Sequence, residues 1–122
     1  MQWFLKLSIM EANELRIGNL ILKNNEIYEI SSLFFVDLYD GKIRENYNNN
    51  YVIEPIKITK EWLLKFKAVE CKTDELVFFL DDFIITLPNY FCYKGTILKK
   101  IKYVHQLQNL YFALTQRELT VA

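Results

Sequence analysis

Three polar pairs dictate much of what this chain can become. Asn24-Asn25, Asp81-Asp82 and Lys94-Gly95 each separate two short apolar runs. A two-residue connection leaves no room for a crossover, so the strands it joins lie side by side and antiparallel. Asn tolerates the positive φ that such turns demand, and glycine adopts it freely. The first pair predicts a hairpin from Leu15 to Lys23 and Glu26 to Ile30, the second strand alternating polar and apolar residues as a half-buried strand does. The second pair joins Leu76 to Leu80 with Phe83 to Leu87, which are aromatic and β-branched enough for a central hairpin that Pro88-Asn89 ends. The third separates Tyr90 to Tyr93 from Ile97 to Ile101.

Elsewhere the strand pattern is less regular. Leu33 to Tyr39 is expected as a strand that turns at Asp40-Gly41 and returns through Lys42 to Glu45. Asn46 to Tyr51 is a polar loop, expected to connect rather than to bind. Pro55 either breaks the strand from Tyr51 to Ile53 or confines it to a sheet edge, because proline has no N–H for a ladder.

Two stretches carry helical signals. Thr59 is placed to cap a short helix from Lys60 to Phe66, with Glu61 in the first turn where the helix dipole favours a negative charge. Trp62, Leu63 and Phe66 would share its buried face. From Tyr103 to Leu119 there is no Gly or Pro, and Val104, Leu107, Tyr111 and Leu114 recur at helical spacing. The expected fold class is therefore α+β: antiparallel hairpins forming a sheet or small barrel, one short helix, and a long C-terminal helix packed across the sheet. Residues 10–122 are expected to form one domain behind an N-terminal extension of residues 1–9.

Composition narrows the function. With 122 residues and 52% hydrophobic content, the chain has the material for a core. Fifteen basic side chains balance fifteen acidic ones, which argues against a partner held through nucleic-acid phosphates. Cys71 and Cys92 form no CxxC pair and are expected as free thiols in a reducing, cytoplasmic setting. Two Cys and one His are too few for structural zinc, and no cofactor is expected. No run of 18 apolar residues spans a bilayer, and the first ten residues, interrupted by Lys6, lack a basic leader region. Nine Phe, eight Tyr and two Trp exceed what a small core absorbs, so some Tyr are expected to face solvent, a ligand or another subunit, and a homo-oligomer is expected.

The residues offer little for catalysis. His105 is expected to be solvated, on the helix face opposite Val104 and Leu107. Asp81 and Asp82 are adjacent, point to opposite sides of a strand, and are better explained as a turn than as a carboxylate pair. Gly18, Gly41 and Gly95 are scattered and make no phosphate loop. Candidate binding groups are Lys94, Lys99, Lys100 and Lys102 interleaved with Tyr93 and Tyr103, and an uncharged polar stripe of His105, Gln108, Asn109, Phe112 and Gln116 on the last helix. Arg16 with Asn19 either adds to that surface or belongs to a hydrogen-bond network tying hairpin to helix.

Three blocks resemble a family of small proteins from Bacteroidetes genomes and their phages and prophages. They are Glu14 to Asn19 (ELRIGN), Pro55-Ile56 with Thr59 and Glu61 to Phe66 (EWLLKF), and Tyr103 to Thr115 (YVHQLQNLYFALT). Members of that family typically begin near the position of Met10. Lys67 and Gln116 stand where they commonly have Gly, which resembles changes at loops or helix ends. The resemblance brings no catalytic residue. It implies a phage-type, non-enzymatic binding protein that acts on host defence by sequestering a nucleotide-like small molecule or capping a host protein. The ligand-binding residues are then expected among Arg16, Asn19, Lys100, Tyr103, His105, Gln108 and Asn109. The other expectation is an assembly protein whose exposed aromatics serve oligomerisation.

Overall fold

The computed structural model describes residues 6–7, 10–11, 14–39, 53–88, 90–98 and 101–121. Two compact units divide the chain, Met1–Ile56 and Lys57–Ala122.

In the first unit, β1 (Lys6–Leu7) pairs antiparallel with β2 (Met10–Glu11). A three-stranded sheet follows, with β3 (Leu20–Lys23) between β4 (Glu26–Glu29) and β5 (Ile53–Glu54). The β3–β4 hairpin turns on Asn24 and Asn25, both in the left-handed region at φ 52° and 67°, as a two-residue turn requires. β5 lies at the edge, one residue before Pro55.

β3 is shorter than the expected strand from Leu15. Residues 16–19 make a tight turn instead, in which Asn19 N donates to the Arg16 carbonyl at 3.0 Å and Gly18 holds φ +95°. Only glycine reaches that conformation without strain. The expected strand over Leu33 to Tyr39 is also corrected: Ser32–Tyr39 is a helix, α1. A nearly unbroken apolar run carries no period to separate strand from helix. The helix buries Phe34 edge-on to Phe35 and leaves Leu33 and Val36 outside. Leu15, Ile21, Ile30, Phe34 and Ile53 form this unit's core. The hairpin expected at Asp40-Gly41 and the loop over Asn46 to Tyr51 lie outside the described residues.

The second unit opens with α2 (Lys60–Lys65), capped as expected: the Thr59 hydroxyl accepts from Trp62 N at 3.4 Å. Trp62, Leu63 and Phe66 are buried. The helix ends in a Schellman motif, with Lys67 N donating to the Leu64 carbonyl and Ala68 N to the Leu63 carbonyl, both at 2.9 Å. Five antiparallel strands then run in sequence order: β6 (Val69–Glu70), β7 (Val77–Leu80), β8 (Phe83–Thr86), β9 (Tyr90–Tyr93) and β10 (Thr96–Leu98). The sheet is an open meander, not a closed barrel. Asp81, Lys94 and Gly95 take positive φ at its turns, as the polar pairs predict.

α3 (Val104–Thr115) is shorter than the predicted span, because Gln116 adopts φ +63° and its N–H returns to the Phe112 carbonyl at 2.8 Å. The helix packs against the sheet as expected. The Tyr111 ring stacks on Phe83 at 5.9 Å, and its hydroxyl donates to the Asp81 carboxylate in the β7–β8 turn. Burial, and then that hydrogen bond, push the Tyr111 hydroxyl above its ordinary pKa. Among the described residues no helix is long and apolar enough to cross a membrane.

Candidate functional site: the outer face of the five-stranded sheet

Alternation along a strand sends neighbouring side chains to opposite faces, and register aligns them across strands. One row, directly opposed from strand to strand, contains Phe78, Ile85 and Phe91, all fully buried. With Leu80 and Phe83 they form the inner face that meets α3.

The adjacent row runs Val69, Phe79, Ile84, Cys92, Ile97 across all five strands. It faces the other way. Val69 is 65% exposed, Phe79 40%, Ile84 42% and Ile97 55%, with Cys92 half-buried between them. Beside it lies a second outward row of Val77, Thr86 and Tyr90, in which Tyr90 is 44% exposed. None of these outward positions is charged. An antiparallel sheet with one solvated face ordinarily alternates apolar-in with polar-out. This one is apolar on both sides, which makes its outer face the candidate interaction surface. The composition signalled surplus aromatics, but Leu76 to Leu87 carries no alternation to place them. Only the register shows that Val69, Phe79, Ile84 and Ile97 converge.

The residues singled out in the sequence are distributed differently. His105 is not solvated, as expected, but fully buried, its ring parallel to Tyr103 at 6.1 Å. Gln108 is also buried and donates through Nε2 to the Leu119 carbonyl at 3.3 Å. The predicted polar stripe is thus partly core: α3 buries Val104, His105, Leu107, Gln108 and Tyr111, a band wider than Val104 and Leu107 alone define. Asn109 and Phe112 are half-buried and Gln116 is exposed. Asn19 is fully buried, and its Oδ1 accepts from Arg16 N at 2.7 Å inside the turn of residues 16–19.

Lys100 and Lys99 lie outside the described residues. Lys94 pairs with Asp82 at 3.7 Å and sits over the Tyr93 ring. Tyr103 lines a depression of about 220 Å³ with Lys57, Ile58, Pro88 and Lys102. The backbone there is held by a residue the sequence reading passed over: Gln106 Oε1 accepts from Lys102 N at 2.9 Å and from Tyr103 N at 3.1 Å. A Gln three residues after Tyr103, the last non-helical residue before α3, was the available signal.

Chemistry at the remaining polar groups is limited. Among the described residues no three His, Cys, Asp or Glu side chains gather as metal ligands. Cys71 is a free thiol whose pKa is lowered, chiefly by the Thr73 hydroxyl 3.4 Å from its Sγ. Asp81 is shared between Tyr111 and Arg117, whose Nη2 lies 3.4 Å from Oδ2. No family model, curated protein or solved structure matches the chain.

Proposed function

We propose that this is a non-enzymatic assembly protein that works by protein–protein packing through the outer face of its five-stranded sheet. The observation that carries the reading is the uncharged apolar row from Val69 to Ile97. Water gains nothing from such a surface, and covering it releases about 25 cal/mol for each Å² of apolar area. The three sequence blocks that resemble phage-associated proteins suggest the setting, a phage- or prophage-encoded protein in the host cytoplasm.

Native mass spectrometry of gently purified protein tests this reading. A defined protein complex is expected from the wild type, and Phe79→Lys should release it. A wild type that carries no protein partner and does not self-associate contradicts it.

A second reading, capture of a nucleotide-like small molecule, is favoured by one feature. Tyr103 offers a stacking ring beside the cations Lys57 and Lys102. It predicts a discrete extra mass in the nucleotide range, lost on Lys57→Glu. Asn19 and Gln108 are not needed for it, since turn and core contacts account for their described bonds.

A further inference from the structure

We infer that the occupant of the outer sheet face is a second copy of this chain, packed face to face about a two-fold axis that brings Ile84 against Ile84 of the partner. The inference rests on the assembly reading and names the partner for it.

Three observations point to a self-contact. The first is charge. A docking surface for a different protein is usually selected by complementary potentials, and none of the described outward strand positions, Val69, Val77, Phe79, Ile84, Thr86, Tyr90, Cys92 and Ile97, carries a charge to supply one. Two identical neutral faces meet without like-charge repulsion, and the chain as a whole carries no net charge at pH 7.

The second is symmetry. An isologous contact requires a patch complementary to itself. The row spans five regularly paired strands, and Ile84 sits on β8, the middle one. A two-fold axis lying between the sheets and passing over that strand superposes the row on its own copy, whether the axis runs along the strands or across them. Two such sheets pack at about 10 Å with their strands near −30°.

The third is area. At about 200 Å² for a large exposed side chain, the exposed fractions of Val69, Phe79, Ile84, Tyr90 and Ile97 leave roughly 500 Å² per copy. A face-to-face pair then removes on the order of 1,000 Å² from water, the lower threshold for a specific interface. A dimer of modest, concentration-dependent affinity follows.

Sedimentation equilibrium on the full chain tests the inference, with Ile84→Lys and Ile97→Lys as variants. The second lies on the edge strand β10 and is 55% exposed, so it perturbs the fold least. The wild type is expected to move from one to two chain masses as its concentration rises to about 100 μM. Both variants should stay at one chain mass with unchanged far-ultraviolet circular dichroism. A wild type that is monomeric throughout, or variants that dimerise as well as wild type, would overturn the self-contact. If the monomeric wild type nevertheless holds a different protein that Ile97→Lys releases, the second copy is wrong and the assembly reading stands. If neither a dimer nor such a complex exists, both fall.

Discussion

At the scale of single residues, backbone conformation explains more than chemistry does. Lys67 and Gln116 both adopt left-handed φ, 68° and 63°, at helix C-termini. The motifs that end α2 and α3 favour glycine because a Cβ is strained there. Lys67→Gly and Gln116→Gly are each expected to stabilise the protein by about 0.5–1 kcal/mol in urea unfolding. A loss of stability would show that these side chains contribute contacts outweighing the strain. Gly18 is the converse case. At φ +95° with open space around it, Gly18→Ala should cost about 1 kcal/mol through strain alone.

Tyr111 gives a pH-dependent counterpart. Its hydroxyl is raised above pKa 10.0 by burial and by Asp81. A raised pKa means that folding favours the neutral phenol, so the stabilisation is fully present below pH 10 and is lost as pH rises through the folded value. Tyr111→Phe should cost about 1 kcal/mol at neutral pH and flatten the alkaline fall in stability. An identical alkaline limb in the variant would remove Tyr111 from the account.

At the scale of elements, the sequence was legible wherever a local rule acts alone. Asn24-Asn25, Asp81 and Lys94-Gly95 fix hairpins because few residues accept their positive φ. Thr59 and the Trp62, Leu63, Phe66 face fix α2. Two elements were not legible. α1 is a short run of Leu, Phe, Val and Tyr in which strand and helix bury similar surface, so tertiary packing decides. The burial of His105 in α3 is the second, because Val104 and Leu107 mark the centre of the buried band and not its width. The burial pattern of α2 sets a clear expectation at this scale: Leu63→Ala should cost about 2–5 kcal/mol and Leu64→Ala, one residue along on the exposed side, under about 0.5 kcal/mol in thermal or urea unfolding. Comparable losses would mean that α2 packs through a different face.

At the scale of the whole molecule, the candidate site emerges only from register. No single strand advertises it. Phe79, Ile84 and Ile97 are ordinary strand residues until pairing sets them side by side with Val69 and Cys92, and the register between β6 and β7 depends on a loop with no two-residue turn. Of the polar residues singled out in the sequence, Asn19 accepts a hydrogen bond within its turn and Gln108 donates to the Leu119 carbonyl. Function on this account is a property of a sheet face and not of a reactive group.

Cys92 lies within that face, between Ile84 and Ile97, and reports its coverage directly. The decisive measurement is the rate of maleimide labelling of Cys92 in a Cys71→Ser background as the protein is diluted. Protection is expected at high concentration, rapid labelling on dilution, and rapid labelling at every concentration once Ile97→Lys is added. A labelling rate independent of concentration in the Cys71→Ser protein itself would contradict the self-contact.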